Sequence, residues 1–205
     1  MPDQQEAVLP SLVLASSSNT RRQMLVQAGF DIVIHKPEIN ERQIELDAQK
    51  RNMALPEIAL LLAQKKALAV AMAHPDSLII AADQILELNG KSLHKPHDLD
   101  QARKQLLSLR GKTHHLHCAV ALVRRQEVLF QHISTIDLTM RDFSAVELNH
   151  VMKCEGTRIL DSVGAYRLEG AGVNLFETIS GDYFAVLGLP LLPLLGALRQ
   201  HQSGA

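Results

Sequence analysis

The chain contains no tryptophan among its 205 residues, and aromatic residues make up only 3% of it. Proteins that bind single-stranded nucleic acid without sequence preference stack the bases on aromatic side chains, so a stacking platform of this kind is not expected. The formal net charge is −1, so a broad basic face for a nucleic-acid backbone is not expected either. The composition therefore argues against nucleic acid as a partner.

Cysteine is nearly absent as well. Cys118 and Cys154 are the only two cysteines, too few for a disulfide framework. They also lack the paired spacing of zinc ligands. This usage favours a reduced, cytoplasmic compartment.

The sequence also lacks a long uninterrupted apolar run. The longest run, residues 185–198, contains two prolines and two glycines, so it is too short and too broken to span a bilayer. We interpret it as a core helix with Pro190 in its first turn. Residues 1–10 are polar and acidic, which predicts no targeting segment.

The pattern that is present predicts one α/β unit over residues 1–205. Whether this unit is divided into two lobes with a cleft between them is not decided by the pattern. Helices are predicted near residues 21–28, 56–74 and 144–152, and another helix is predicted to start at residue 98. Strands are predicted at residues 12–14, 32–34, 78–82, 113–123 and 128–140. Residues 37–55 are predicted to be polar and irregular, and Asn89-Gly90 indicates a hairpin.

A serine-rich turn joins the first predicted strand to the first helix. At such a junction, free backbone N–H groups and the positive end of the helix dipole favour phosphate. The hydroxyls of Ser16 and Ser18 can donate further hydrogen bonds, and Arg21 or Arg22 can hold two phosphate oxygens. The same residues fit an ordinary helix N-cap with solvated charges, so the turn alone leaves both interpretations open.

Further side chains are candidates for chemistry. Asp83 directly follows the apolar run 78–82, where open α/β sheets place their ligands, so it could bind a divalent cation or accept a proton from water. It could equally cap the next turn. Lys95, before Pro96 in a loop, could fix an ammonium beside a phosphate, although an isolated Lys-Pro is usually without function. Lys65 and Lys66 lie among alanines on a predicted helix, a pattern that favours two solvated lysines.

Other motifs carry weaker signals. His114, His115 and His117 are close in sequence, but strand alternation places His114 on the opposite face from the other two, which argues against a zinc site. Gly170-Ala171-Gly172 does not lead from a strand into a helix, so a dinucleotide-binding loop is disfavoured.

Taken together, seven segments resemble the Maf family of nucleoside triphosphate pyrophosphatases over nearly the whole chain. They are LASSSNTR (14–21), LAQKKA (62–67), ADQ (82–84), KP (95–96), LRGKTH (109–114), GAYRLEG (164–170) and GDYFAVLGLPL (181–191). The resemblance implies a mixed α/β fold with a twisted mixed sheet, flanking helices and a deep cleft between two lobes. It also implies a homodimer and hydrolysis of a nucleoside triphosphate to the monophosphate and pyrophosphate with a divalent cation, Mg²⁺ or Mn²⁺.

The resemblance also implies roles for individual residues. Phosphate would be held by Ser16, Ser18 and Arg21. Glu41 and Asp83 would serve the metal and the attacking water, and Lys66 and Lys95 would neutralise the triphosphate. The positions that vary with substrate are Thr20, Gln84 and Glu169. The chain departs from the family pattern at Asn19, Thr20 and Ser162, where many members carry proline, arginine or tryptophan, and lysine.

The substrate-dependent positions give an expectation about the base. Glu169 is a carboxylate where many relatives carry an amide, and an ionised carboxylate only accepts hydrogen bonds. Guanine offers two adjacent N–H donors, so a guanine-type substrate is expected, with a 7-methylated base as one form. The alternative function implied by the family name is a nucleotide-binding regulator of septum formation.

Overall fold

The computed structural model describes residues 11–202, which form a seven-stranded mixed sheet with helices on both faces. The prediction about a targeting segment falls on residues 1–10, outside the described residues. The strands are β1 Leu12–Leu14, β2 Ile32–Ile34, β3 Leu78–Leu88, β4 Lys91–Leu93, β5 Thr113–Arg124, β6 Glu127–Met140 and β7 Phe176–Ser180. The helices are α1 Asn19–Gln27, α2 Glu41–Lys50, α3 Leu55–Ala71, α4 Leu99–Leu109, α5 Ala145–Glu155, α6 Tyr183–Val186 and α7 Leu191–Gln202. Two 3₁₀ helices cover Gly156–Asp161 and Ala171–Leu175.

The strand order is β2-β1-β3-β5-β6-β7, with β4 paired to β3. β1 is parallel to β2 and β3, and the remaining pairs are antiparallel. The predicted hairpin at Asn89-Gly90 joins β3 to β4, and both residues have the positive φ angles, 53° and 76°, that a two-residue hairpin turn needs. The predicted α/β class with a mixed sheet and flanking helices is confirmed, while the division into two lobes stays a prediction.

Successive side chains of a strand point to opposite faces of the sheet, and in the central strands both sets are apolar. One face packs against α2 and α3, through residues such as Ala81 and Ala121. The other face packs against α1 and α7, through residues such as Ile80 and Leu122. A third cluster joins the far ends of β5 and β6 to α4 and α5 around the fully buried Phe143. A strand buried on both faces reads as a continuous apolar run, as the segment 78–82 does.

The prediction that residues 37–55 are irregular is wrong, because they contain α2. Asn40 caps this helix by accepting a hydrogen bond from the Gln43 N–H at 3.0 Å. Ala48 is the one buried residue of α2, so the helix presents almost no apolar period along the sequence. The N-cap residue Asn40 is the sequence signal from which the start of this helix could have been predicted.

Two element boundaries also differ from the prediction. β3 continues to Leu88, so Asp83 lies within a strand rather than after its end. The apolar run at 185–198 is split between α6 and α7, and Pro190 precedes α7 instead of lying in its first turn. Gly188, with φ +113°, makes the break possible, because few residues other than glycine adopt this conformation.

Among residues 11–202, no helix is both long and apolar enough to cross a membrane. The predicted alternation of the histidines on β5 is confirmed. His115 and His117 stack against each other, with ring centroids 6.4 Å apart. His114 points to the other face, where its Nε2 lies 3.0 Å from the hydroxyl of buried Tyr166.

The buried His114 predicts a stability that depends on pH. Burial, with a smaller contribution from His115, lowers the pKa of His114 to about 4 from an ordinary 6.5. The unfolded chain therefore takes up a proton that the folded chain refuses, so stability falls as the pH drops from 6.5 towards 4. Between pH 7 and pH 4.5, His114 should lower the free energy of unfolding by about 2 kcal/mol.

Urea unfolding at both pH values measures this loss. In a His114→Phe variant, the loss between pH 7 and 4.5 should be smaller than in the wild type by about that amount. A His150→Gln variant, at an exposed histidine, serves as the control and should keep the wild-type dependence. An unchanged pH dependence in His114→Phe would contradict the assignment.

Candidate active site

A cavity of about 690 Å³ opens beside β3, where β1 has ended. β1 pairs with β3 only as far as Ile80, and the Ala15 N–H closes this pairing with a 2.8 Å hydrogen bond to the Ile80 carbonyl. The chain then turns away, so β3 continues with one edge free of β1. The cavity brings together every predicted site residue except Glu169: Ser16, Ser18, Thr20, Arg21, Glu41, Lys66, Asp83, Gln84 and Lys95.

The serine-rich turn is held by its own hydroxyls. Ser16 Oγ accepts a hydrogen bond from the Ser18 N–H at 3.1 Å, and Ser18 Oγ, at the N-cap of α1, accepts from the Arg21 N–H at 3.3 Å. The N-cap interpretation and the phosphate interpretation therefore apply together. The N–H groups of Asn19 and Thr20, in the first turn of α1, have no hydrogen-bond partner within residues 11–202, and both residues line the cavity.

Arg21 connects three segments of the chain. Its Nε donates to the Gly188 carbonyl at 2.7 Å, and its Nη1 donates to the Ala82 carbonyl at 2.8 Å. A Cβ on Gly188 would lie 3.2 Å from Arg21 Nε, so glycine leaves room for the guanidinium. The expected clamp on two phosphate oxygens is thereby reduced, because Nη2 is the nitrogen left for an anion. Arg22 is exposed and does not line the cavity.

The centre of the cavity is an ammonium between two carboxylates. Lys66 Nζ lies 2.5 Å from Asp83 Oδ1 and 2.9 Å from Glu41 Oε2. The side chains of Lys66 and Asp83 are 9% and 10% exposed, whereas that of Glu41 is 53% exposed. Lys66 is therefore not a solvated lysine, although its neighbour Lys65 is exposed. Burial raises the pKa of Asp83 above its ordinary value, while the charge of Lys66 opposes the shift.

These carboxylates are the best candidates to hold a metal ion. Within residues 11–202, no group of three or more histidine, cysteine, aspartate or glutamate side chains is arranged to hold one. Mg²⁺ differs from zinc in this respect, because it commonly takes one or two carboxylates and completes its shell with waters and substrate phosphates. Glu41 and Asp83, both in contact with the same Lys66 ammonium, fit that donor set.

A second cavity of about 110 Å³ adjoins the first and shares Thr20 and Gln84 with it. Gln84 Nε2 donates to the carbonyls of Ala185 and Val186 at 2.9 and 3.1 Å, which fixes the orientation of the amide. The amide oxygen is then the atom of Gln84 that can accept a hydrogen bond from a ligand. Glu169 lines this second cavity rather than the first. The candidate site is thus divided into a charged cavity and a smaller one.

Several basic side chains of the site were missed by the sequence reasoning. Lys36, Arg158 and Arg167 line the first cavity together with the exposed Lys95. They lie in loops and in the 3₁₀ helix after α5, where no periodic pattern distinguishes a site residue from a surface charge, and of the three only Arg167 belongs to a quoted motif, GAYRLEG. Their presence makes the rim of the cavity basic around an acidic centre, an arrangement suited to a polyanion that carries a cation.

Comparison with known proteins gives consistent matches. The family model described as Maf-like protein matches residues 11–201. A 7-methyl-GTP pyrophosphatase from Rhizobium etli is 46% identical over 93% of this chain and 96% of its own length. A nucleoside triphosphate pyrophosphatase from Granulibacter bethesdensis is 44% identical over 94% of this chain and 98% of its own length.

Among solved structures, a dITP/XTP pyrophosphatase from Mycobacterium abscessus aligns over 94% of this chain and 95% of its own. The TM-score is 0.40 and the identity 11%, a level at which the likeness carries no functional information.

The contact of Lys66 with both carboxylates predicts a large effect on stability. In a Lys66→Met variant, two negative charges would face each other at a largely buried position without a counter-charge. The free energy of unfolding at pH 7 should fall by about 3 kcal/mol, near the lower end for breaking a buried ion pair because Glu41 is half-exposed.

The neighbouring lysine provides the matched control. Lys65→Met makes the same change at an exposed position one residue away, so it should alter stability by no more than about 0.5 kcal/mol. Urea denaturation of both variants measures the difference, and equal losses would contradict the assigned ion pairs.

Proposed function

The chain belongs to the family of Maf-like proteins, and on that premise we propose that it is a nucleoside triphosphate pyrophosphatase. The reaction is hydrolysis of the bond between the α- and β-phosphates, which releases a nucleoside monophosphate and pyrophosphate. The observation that carries the proposal is the ion-paired centre of Asp83, Lys66 and Glu41 at the base of a cavity with a basic rim. A carboxylate with a raised pKa and a ring of cations are what this hydrolysis requires.

The triphosphate would bind along the serine-rich turn. The N–H groups at the start of α1 and the hydroxyls of Ser16 and Ser18 supply donors, and the dipole of α1 favours the negative charge. Arg21 Nη2 and Lys95 would add positive charge on two sides of the cavity. Since the donors of Arg21 that bind Gly188 and Ala82 keep it in place, its charge is preorganised.

Asp83 would accept the proton of the attacking water. It is almost fully buried, and burial raises its pKa, so it is a stronger base than a solvated aspartate. Lys66 orients this carboxylate through its 2.5 Å contact and is itself steadied by Glu41. The ammonium of Lys66 also faces the site of charge development and would stabilise negative charge on the phosphate.

A divalent cation, Mg²⁺ or Mn²⁺, is part of the proposal, with Glu41 and Asp83 as its protein ligands. When bound, such a cation polarises phosphate oxygens and increases the acidity of water. Because Lys66 Nζ contacts both carboxylates, it would have to share them with the cation or move towards the triphosphate.

A cytoplasmic location and a homodimer complete the proposal. The former is supported by Cys118 and Cys154, both of which are free thiols. The latter rests on the family resemblance alone. Nothing among residues 11–202 favours the alternative of a septum regulator, since a protein that only binds nucleotide has no need of a water-activating carboxylate.

Replacing Asp83 tests the reaction. Asp83→Asn removes the base while keeping the shape of the side chain, so kcat should fall by about 10²–10⁴-fold. Release of pyrophosphate and of orthophosphate should be measured separately with nucleoside triphosphates as substrates, and circular dichroism should verify folding. Orthophosphate as the first product of the wild-type protein would contradict the proposed reaction, and near wild-type kcat in Asp83→Asn would contradict the proposed base.

For the base, we propose a guanine-type nucleotide. Glu169, at the second cavity, accepts hydrogen bonds only, and guanine offers N1–H and N2–H₂ side by side. Uracil and thymine offer one N–H between two carbonyl oxygens, which a carboxylate repels. Several relatives at 42–46% identity carry the name 7-methyl-GTP pyrophosphatase, which is consistent with this choice.

A Glu169→Gln variant should shift the preference towards pyrimidines, because an amide both donates and accepts. The ratio of kcat/KM for GTP or 7-methyl-GTP over that for UTP should fall by roughly tenfold or more. A panel of nucleoside triphosphates assayed for pyrophosphate measures this ratio. Wild-type protein that hydrolyses UTP or dTTP faster than any guanine nucleotide would overturn the proposal.

A further inference from the structure

Glu155 is a buried carboxylate that the proposed reaction does not use. It is the last residue of α5, and its side chain is 1% exposed. Oε1 accepts a hydrogen bond from the Ala171 N–H at 2.5 Å, and Oε2 accepts from Arg167 Nη1 at 3.3 Å. A carboxylate removed from water to this degree is costly unless its partners are well placed, so these two contacts define its environment.

The loop around Glu155 has no room to spare. A Cβ on Gly170 would lie 2.1 Å from Glu155 Oε1, and a Cβ on Gly172 would lie 2.7 Å from the Arg167 carbonyl oxygen. A side chain at position 172 would require the backbone of the loop to shift, and one at position 170 would displace the Glu155 carboxylate. The two glycines of the Gly170-Ala171-Gly172 motif therefore let residues 167–172 fold closely over the carboxylate.

Arg167 connects Glu155 to the second cavity. Its Nε donates to Glu169 Oε1 at 3.2 Å, while its Nη1 contacts Glu155. Arg167 is 25% exposed and lines both cavities, whereas Glu169 is 34% exposed and lines the second. The more exposed carboxylate of Glu169 is thus linked through one guanidinium to the buried carboxylate of Glu155.

We propose that Glu155 is a positioning residue for substrate choice, which acts through Arg167 to hold Glu169 in the orientation that accepts the N–H donors of a guanine base. This inference rests on the proposed function of the same site. An exposed glutamate without this tether has to be ordered when the substrate binds, and that ordering weakens binding. When Arg167 donates to Oε1 of Glu169, the carboxylate is held in one orientation, and the direction of Oε2 is set as well.

The test compares base preference in Glu155→Gln and wild type. Glutamine keeps the size of the side chain and an oxygen for the Ala171 N–H, but it lacks the charge that holds Arg167. For GTP the KM should rise about tenfold while kcat stays within about threefold, and the GTP/UTP ratio of kcat/KM should fall about tenfold. Arg167→Met should lower the GTP/UTP ratio to the same extent, while the loss of its charge from the rim of the first cavity raises the KM of both substrates, and the ratio in the double variant should be no lower than in either single variant.

Glu147→Gln is the matched control. Glu147 lies on the same helix and pairs with Arg141 at 2.9 Å, and glutamine also serves in its capping box. Arg141 bonds to the Asn174 carbonyl, but neither Arg141 nor Glu147 has a described hydrogen bond to residues 167–172. This variant should leave the GTP/UTP ratio unchanged. A second readout, independent of turnover, is isothermal titration calorimetry with the α,β-methylene analogues of GTP and UTP, whose Kd ratio should shift in the same direction.

The outcomes separate the two proposals. If the wild type binds the analogues but releases no pyrophosphate from GTP, the proposed function fails, while the Kd ratios still decide the role of Glu155. If Glu155→Gln changes every substrate equally, or changes nothing while Glu169→Gln alters the preference, Glu155 is only structural and the inference is overturned. If the wild type binds neither analogue, both proposals fail.

Discussion

The contact of Lys66 with Asp83 and Glu41 is the interaction on which the centre of the site depends. Asp83 lies inside a central strand with its side chain only 10% exposed, a position at which an unpaired carboxylate would be unstable. Lys66 reaches it from α3, and Glu41 joins from the first turn of α2. One ammonium therefore ties two helices to the sheet, and it gathers the groups proposed for water activation and metal binding at one point.

The length difference between β1 and β3 creates the space for this centre. β1 ends at Leu14, and the chain turns into α1, whereas β3 continues for eight residues beyond Ile80. Arg21 fills part of the gap and fastens the turn to the carbonyls of Ala82 and Gly188. The cavity thus opens along the part of β3 that β1 no longer pairs with, while β5 stays paired to the other edge of β3 from Ile79 to Glu87.

Local features of the structure were predicted better from the sequence than tertiary contacts between distant segments. β1 and β2 have the predicted bounds, because a short apolar run between polar turns is a local signal. Helix α2 was missed, since its faces are nearly all polar. The serine-rich turn and Asp83 were candidates from the local pattern, whereas Glu41 came from the family resemblance alone. Nothing local to Lys66 or Glu155 distinguishes a buried charge from a solvated one. Burial and ion pairing arise from segments that meet only in the fold, such as α3 with β3.

The two cavities differ in what they are proposed to do, one in the reaction and the other in recognition of the base. The charged cavity is built mostly from the first half of the chain, with its centre on α2, α3 and β3. The smaller cavity draws on the segment after α5, where Arg167 links Glu169 to Glu155 at the end of that helix. Because an anion fixed by burial orients the arginine, and the arginine orients the exposed glutamate, the recognition side depends on contacts that do not touch the centre. Under the two proposals, a change in this loop would alter the preferred base while Asp83 and Lys66 keep their geometry.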